Sequence, residues 1–165
     1  MSDFVYFEDL AMGDRFVSQS HRITADDVSR FAQLTGDFNP LHLDADYASE
    51  SPFGRPIAHG LLGLSFVAGL ASAAPKLDTV ALLGVTGWRF LHPVYYGDLL
   101  HVDSEVTELE PNGRKRGRVV WNRKLINQHN WVVQEGNFET LVARRLAAQP
   151  CPLPVSITES VRRAV

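Results

Sequence analysis

Residues 36–42 combine a carboxylate and an imidazole in a short turn-rich segment, Gly-Asp-Phe-Asn-Pro-Leu-His, with Asp37 and His42 five positions apart. Side chains of these two types transfer protons to and from reacting groups. Each alone is common in turns, where an aspartate after glycine usually bonds its own backbone. A turn needs glycine, asparagine and proline to hold its shape, but it does not need an acid and a base together. We therefore interpret Asp37 and His42 as a candidate acid/base pair on a loop shaped by Asn39 and Pro40.

His59 and Gly60 stand at the head of the most apolar run in the chain, residues 61–74, and the pattern predicts a helix over 59–74. Free N–H groups and the helix dipole favour negative charge at a helix start. Gly60 has no side chain to keep a ligand oxygen away. The pattern therefore indicates a site for a negatively charged oxygen at Gly60, and the alternative is that Gly60 only lets the helix begin tightly.

Two other polar clusters have simpler explanations than a binding site. His42, Asp44 and Asp46 alternate in a way that suits a cation, but no second cluster completes the shell, and Asp44 can cap a short helix over 44–49. We therefore expect no metal. The basic run at 114–118 can meet phosphates of a cofactor or an acidic carrier, but a solvated turn is the simpler explanation and the one we expect.

Composition bounds the class of protein. A chain of 165 residues with 45% apolar residues suits one domain with its own core. The net charge of −3 gives no reason to expect a nucleic-acid partner. The single cysteine, Cys151, excludes an internal disulfide and fits a reducing compartment. Residues 1–9 lack the features of a signal peptide, and the apolar run at 61–74 is shorter than the roughly 20 residues of a membrane span, so we expect a cytoplasmic protein without a membrane partner.

The hydrophobic pattern changes once along the chain, from helical to alternating. The first half predicts a strand over 15–23, a helix from Thr24 that ends at Gly36, and the helix over 59–74. The second half contains a hairpin signal at 110–113 and predicts four consecutive antiparallel strands: 78–91, 100–107, 118–127 and 131–144. This order predicts an α+β fold with a long helix against a curled sheet.

The two long predicted helices carry different local signals. The first has a cap at Thr24, and its apolar stripe is formed by Val28, Phe31, Ala32 and Leu34. The second contains three glycines, each of which costs roughly 1 kcal/mol relative to alanine inside a helix: Gly60, Gly63 and Gly69. We interpret these glycines as places where the helix packs closely against a sheet or a ligand.

Phe31–Ala48, with its Gly-Asp-x-Asn-Pro-Leu-His core, closely resembles the signature of the MaoC-like dehydratases, the (R)-specific enoyl-CoA hydratase family. That signature has a small residue six places after the histidine, here Ala48. Residues 53–62 resemble the family's central-helix start, and residues 90–98 resemble its strand-turn pattern. The resemblance spans roughly residues 10–145, and several matched stretches in the same order make it specific.

The resemblance implies a single hot-dog domain over 1–148, in which an antiparallel sheet wraps around a long central α-helix. A Pro-rich C-terminal tail at 149–165 is not covered. Members of the family usually form dimers with a continuous sheet, often assembled further, so we expect a homodimer or a larger oligomer built from dimers.

The resemblance also implies roles for individual residues. It makes Asp37 and His42 the catalytic pair and the Gly60 N–H the group that binds the thioester oxygen. Three neighbours are expected to shape the site: Asn39, Pro40 and His59. Some members carry a hydroxyl residue late on the central helix where this chain has Ala68, which makes Ala68 a candidate for the acyl pocket.

The implied reaction is reversible addition of water to a trans-2-enoyl thioester, giving the (R)-3-hydroxyacyl product. The substrate is an acyl-CoA or an acyl-carrier-protein ester, and no cofactor is expected beyond the coenzyme A of the substrate. A straight, branched or dicarboxylic acyl chain is compatible with the residues. Arg55 or Arg89 can pair with a substrate carboxylate, or can be a structural arginine.

Two alternatives stay open at this point. A hot-dog acyl-CoA thioesterase generally needs a carboxylate on or near the central helix, and residues 61–74 contain none. A non-catalytic acyl-CoA-binding module does not need both Asp37 and His42.

Overall fold

Four long strands and one central helix make up most of the fold between residues 4 and 145, the part of the chain that this computed structural model describes. A 3₁₀ turn at Phe7–Asp9 comes first. The strands are β1 (Arg15–Val17), β2 (His21–Arg22), β3 (Thr79–Phe90), β4 (Leu99–Asn112), β5 (Arg116–Ile126) and β6 (Val132–Ala143). The helices are α1 (Ala25–Thr35), α2 (Pro40–Leu43), α3 (Ala45–Ser49) and α4 (Gly60–Ala71). The tail predicted at 149–165 lies outside the described residues.

The strands form an antiparallel sheet in the order β1-β4-β5-β6-β3, and β2 pairs with a further part of β4. The four strands predicted in the second half of the chain are confirmed as β3 to β6. The hairpin predicted at 110–113 is confirmed between β4 and β5, with Gly113 at φ 75°. After α4 the chain crosses over to pair β3 with β6, so β3 forms one edge of the sheet.

The prediction of a single strand over 15–23 is wrong, because two short strands occupy that stretch. β1 pairs with Asp103–Glu105, and β2 pairs with Leu99–Leu100. Between them, the Ser18 N–H donates to the Val102 carbonyl and the Val102 N–H donates to the Ser18 hydroxyl, both at 2.9 Å. A side chain therefore replaces one backbone acceptor of the ladder, which interrupts the strand.

Helix α4 lies against the inner face of β4 and β5. One buried cluster joins the three elements: Leu62, Val67 and Ala71 from α4, Val102 and Val106 from β4, and Val119, Trp121 and Leu125 from β5. This packing confirms the α+β class and the hot-dog arrangement of a sheet around a central helix. Within residues 4–145, no helix has the length and apolar character needed to cross a membrane.

The central helix is shorter than predicted. It ends at Ala71 rather than at residue 74, and Ser72 closes it by donating its hydroxyl to the Gly69 carbonyl at 2.6 Å. Pro75 has no N–H to continue a helix and disfavours the helical conformation in the residue before it. The sequence signal for the end was this proline, and the helix stops a turn before it.

Helix α1 begins and ends as predicted, but one residue of its stripe is misplaced. The Thr24 hydroxyl accepts from the Asp27 N–H, and the Asp27 carboxylate accepts from the Thr24 N–H, which is a capping box. Val28 and Ala32 are fully buried, whereas Leu34 is 84% exposed. At about 100° per residue, Leu34 lies on the opposite side of the helix from Ala32.

Candidate active site

The loop that carries the candidate pair is built from local hydrogen bonds. Gly36 ends α1 in the left-handed conformation, with φ 80°, and the chain then turns into Asp37. The Asp37 carboxylate accepts from the Asn39 N–H at 3.3 Å, and the Asn39 side chain accepts from the Leu41 N–H at 3.0 Å. Asn39 thereby caps the one-turn helix α2, in which Pro40 takes the first position.

The prediction of a loop from Asp37 to His42 is wrong in its second half, because α2 begins at Pro40. The signal was present, because asparagine followed by proline is a cap followed by the favoured first residue of a helix. The consequence for the site is that His42 sits on a helical turn, which fixes its direction. The carbonyl of His42 accepts a hydrogen bond from the Tyr96 hydroxyl, and this long-range contact was not predicted.

His42 is half-buried with one ring nitrogen committed. Its Nδ1 lies 2.8 Å from the Ile57 carbonyl oxygen and must donate to it, so Nε2 carries the lone pair of the neutral ring. Burial holds the pKa of His42 below its ordinary value. The Ile57 hydrogen bond and the charge of Asp37 oppose that shift, and the neighbouring His59 adds to it. The geometry therefore provides a neutral imidazole with a free basic nitrogen.

The side chain of His59 is buried between this loop and the start of α4. Its ring stacks on His42 with centroids 3.9 Å apart and an interplanar angle of 34°. Its Nε2 donates to the Asp37 carbonyl at 3.0 Å. Its Nδ1 is buried and has no hydrogen-bond partner among residues 4–145. The contacts show His59 holding the loop against the helix.

The three side chains Asp37, His42 and His59 offer ligand-type atoms within 4.8 Å of one another. One nitrogen of each ring already bonds a backbone carbonyl, His42 Nδ1 that of Ile57 and His59 Nε2 that of Asp37. Asp44, the other candidate ligand, caps α3 as predicted, because its carboxylate accepts from the Asp46 and Tyr47 N–H groups. These arrangements suit proton handling and helix capping.

Gly60 is the first residue of α4, and His59 is its N-cap. The first N–H groups to bond back into the helix start belong to Leu62 and Gly63, and both donate to the His59 carbonyl. The Gly60 N–H precedes them, so it lacks an intrahelical acceptor. A Cβ at Gly60 would lie 2.9 Å from the Phe90 ring, which confirms the close packing predicted at this glycine.

Two cavities meet at Gly60. The first, of about 300 Å³ and named here the Asp37 cavity, is lined by Asp37, His42, His59 and Gly60 together with Phe31, Thr35, Leu61 and Phe90. The second, of about 260 Å³ and named the Gln134 cavity, is lined mainly by apolar residues and by Gln134, and it shares His42, Gly60 and Phe90 with the first. Asp37, His42 and Gly60 therefore line one cavity together, and His42 and Gly60 also line the neighbouring one.

Other predicted site residues lie away from these cavities. Ala68 is on the exposed side of α4, about 12 Å along the helix axis from Gly60, and it lines neither cavity. Arg55 stacks over the Tyr95 ring at 4.0 Å. Neither Arg55 nor Arg89 lines the two cavities. Phe90 and Gln134 line the space and were not singled out, because no local pattern links these strand residues to Gly60.

Comparison with known proteins identifies the family of this chain. A model of the MaoC like domain matches residues 10–128. The chain belongs to the MaoC-like family. It is 36% identical to the 3-hydroxybutyryl-CoA dehydratase of Methylorubrum extorquens, over 88% of this chain and 89% of that protein. It is 34% identical to an (R)-specific enoyl-CoA hydratase of Rhodospirillum rubrum, over 85% of this chain and 93% of that one.

A solved structure agrees with these MaoC-like relatives. The crystal structure of the MaoC-like dehydratase from Rhodospirillum rubrum superposes with a TM-score of 0.73 at 30% identity, covering 86% of this chain and 98% of that one. The chain is therefore an enzyme of the hydro-lyase class, with the hot-dog fold.

Proposed function

We propose that this enzyme adds water reversibly to a trans-2-enoyl thioester to give the (R)-3-hydroxyacyl thioester, with Asp37 and His42 as its acid/base pair. The observation that carries the proposal is the convergence of Asp37, His42 and the Gly60 N–H on the Asp37 cavity. Hydration requires a base, an acid and a donor for the thioester oxygen, and these residues supply all three.

The free Nε2 of His42 supports the following proposed proton steps. A water held between Nε2 and the Asp37 carboxylate gives its proton to Nε2 while its oxygen bonds to C3 of the substrate. The imidazolium, stabilised by the carboxylate, then returns the proton to C2. Dehydration runs through the same steps in reverse.

The Gly60 N–H stabilises the charge that develops on the thioester oxygen as water attacks. A fixed backbone donor at a helix start needs no reorganisation during the reaction, and one such donor is worth about 3–4 kcal/mol of transition-state stabilisation. General acid/base catalysis by the pair adds roughly 10²–10⁴-fold.

The proposed substrate is an acyl-CoA whose acyl chain carries no charge, or the same acyl group on a carrier protein. The Gln134 cavity has a mainly apolar lining, which suits a hydrocarbon chain or the pantetheine arm. Neither Arg55 nor Arg89 reaches the cavities, so nothing there favours a dicarboxylic acid. We propose that no cofactor takes part beyond the coenzyme A of the substrate.

The enzyme is proposed to work as a dimer through strand β3. This edge strand exposes five large apolar side chains, Val80, Leu82, Leu83, Val85 and Phe90, and an exposed apolar edge strand tends to pair with another chain. Pairing of β3 with its copy gives one continuous sheet. The single cysteine is compatible with a reducing cytoplasmic environment.

The test is hydration of crotonyl-CoA, followed as loss of the enoyl absorbance, with free thiol measured in parallel. Asp37→Asn and His42→Ala should each lower kcat by at least ~10²-fold while circular dichroism stays that of the parent. If either folded variant hydrates crotonyl-CoA at the parent rate, the assigned pair is wrong. Thiol release without hydration would indicate a thioesterase, and tight binding without turnover would indicate a binding module.

A further inference from the structure

Gln134 is a buried polar residue of β6 that contacts the first turn of α4. Its side chain is only 2% exposed. The amide nitrogen donates to the Gly60 carbonyl at 3.0 Å, and the amide oxygen accepts from the Trp88 indole N–H at 3.3 Å. Both ends of the amide therefore have partners, which fixes its orientation between sheet and helix.

Two glycines provide the space for this contact. A Cβ at Gly63 would lie 2.1 Å from the Gln134 amide nitrogen, and a Cβ at Gly136 would lie 2.6 Å from the Trp88 ring. Real side chains do not tolerate such distances, so an alanine at either position must displace its neighbour. Gly69, on the same helix, has nothing within 4 Å of its Cβ position. The prediction of close packing is thus confirmed at Gly63 and wrong at Gly69.

The Gly60 carbonyl belongs to the same peptide group as the Leu61 N–H. That N–H and the Gly60 N–H are the first two of α4, where no intrahelical acceptor exists, and both residues line the Asp37 cavity. A hydrogen bond to the carbonyl fixes the plane of the peptide group and polarises its N–H. Gln134 therefore orients the Leu61 N–H directly, and it fixes the turn that carries the Gly60 N–H, without needing to touch the reacting atoms.

We propose that Gln134 is a positioning residue: it locks the first turn of α4 so that the Gly60 and Leu61 N–H groups meet the thioester oxygen. The proposal rests on the proposed hydratase function and deepens it by adding a second backbone donor and the side chain that orients it. Trp88 completes the arrangement by holding the amide of Gln134 in the orientation that donates to Gly60.

The first experiment uses Gln134→Met, which keeps the length of the side chain and removes the donor. With crotonyl-CoA as substrate, kcat should fall about tenfold with KM within about twofold of the parent, because the donors are displaced rather than removed and act in the transition state. A KM that rises while kcat is unchanged would show that Gln134 contacts the substrate, and would overturn the proposal. Unchanged kcat and KM would overturn it as well.

A matched pair of glycine variants tests the same contact from the helix side. Gly63→Ala must push Gln134 away, so kcat and the thermal midpoint should both fall. Gly69→Ala makes the same chemical change on the same helix in open space, so kcat should not change and the midpoint should stay level or rise. Equal kcat values for the two variants would contradict the proposal.

A double variant distinguishes the effect of the Gln134 hydrogen bond on kcat from the effect of packing on stability. In Gly63→Ala/Gln134→Ala the clash is gone, so the thermal midpoint should recover relative to Gly63→Ala, while kcat stays about tenfold low because no donor reaches Gly60. Recovery of kcat together with the midpoint would overturn the proposal. If the parent enzyme itself fails to hydrate any enoyl thioester, the proposed function is wrong, whereas an active parent with an unaffected Gln134→Met variant rejects only this inference.

Discussion

The pair loop at 36–42 and the first turn of α4 face the same cavity but are held in place in different ways. In the loop, the exposed Asn39 makes hydrogen bonds to residues two positions away, and Ile57, His59 and Tyr96 bond only its two ends, Asp37 and His42. The start of α4 and the residues just before it are held by distant parts of the chain: the Ala58 N–H donates to the Val94 carbonyl at 2.8 Å, and Gln134 of β6 donates to the Gly60 carbonyl.

This difference indicates how each region should respond to change. The polar side chains of the loop can be replaced with little loss of packing, because Asp37 is exposed and His42 only half-buried. The helix start is packed against Phe90 and Gln134, so a side chain added there must move a neighbour. Substitutions in the loop should therefore change the rate more than the stability, and those at the helix start should change both.

The largest effect is expected for the pair itself. Because Asp37 and His42 act on one water, the double variant Asp37→Asn/His42→Ala should lose no more activity than the worse single variant, at least ~10²-fold in kcat. Rates of crotonyl-CoA hydration and thermal midpoints check this together. Multiplying losses in the double variant would show that the two side chains work independently.

Gly60→Ala tests the helix start. The added Cβ lies 2.9 Å from the Phe90 ring and takes up space beside the donor, so kcat should fall roughly 10–100-fold, less than complete removal of an oxyanion donor, which costs about 10²–10³. Steady-state kinetics and a melting curve measure the effect. A kcat equal to that of the parent would contradict the assignment of the oxyanion site to Gly60.

The pH profile links the two residues of the pair. Hydration needs neutral His42, and burial holds the pKa of His42 below its ordinary value of 6.5. The kcat/KM profile should therefore stay level as pH falls to that value and decline only below it. The charge of Asp37 raises the pKa of His42, so in Asp37→Asn the decline should move to lower pH.

The control for this shift is Asp46→Asn, which removes a carboxylate from the exposed side of α3. Its acidic decline should coincide with that of the parent. A decline that stays in place in Asp37→Asn, or moves equally in both variants, would contradict direct coupling of Asp37 and His42.

The smallest effects are expected for the two helix caps. Asn39→Ala and Thr24→Ala each remove a side-chain cap, and each should lower the free energy of unfolding by about 1 kcal/mol. Only Asn39→Ala should also lower kcat, because only α2 carries His42. Urea unfolding measures the stability of the two cap variants, and crotonyl-CoA hydration measures their kcat. Equal kcat values for both variants would contradict a role for α2 in directing the imidazole.

The same contrast explains what could be predicted from the sequence. The cap at Thr24, the left-handed Gly36 and the cap at Asp44 are local patterns, and the structure confirms each of them. The alternating pattern of β4 also predicts which of its residues are buried. The structure confirms this, since Leu100, Val102 and Val106 are all at most 1% exposed. The hydrophobic period and the capping and turn residues depend on neighbours in the chain, and a single sequence shows those neighbours.

Long-range partners could not be predicted in this way. Gly63 indicated a close approach but did not identify Gln134, which lies 71 positions further along the chain. Tyr96 gave no sign that its hydroxyl would bind the His42 carbonyl. Such pairs join elements that are distant in the chain, and the types of the two residues do not show that the fold brings them together.

The most direct test of the central claim is the product formed from crotonyl-CoA in D₂O, analysed by NMR and by chiral separation of the released acid. The proposed mechanism predicts (R)-3-hydroxybutyryl-CoA with one deuterium at C2, because the proton passes from solvent water through His42 to that carbon. Free coenzyme A with unchanged crotonate, or crotonyl-CoA that stays unaltered, would contradict it.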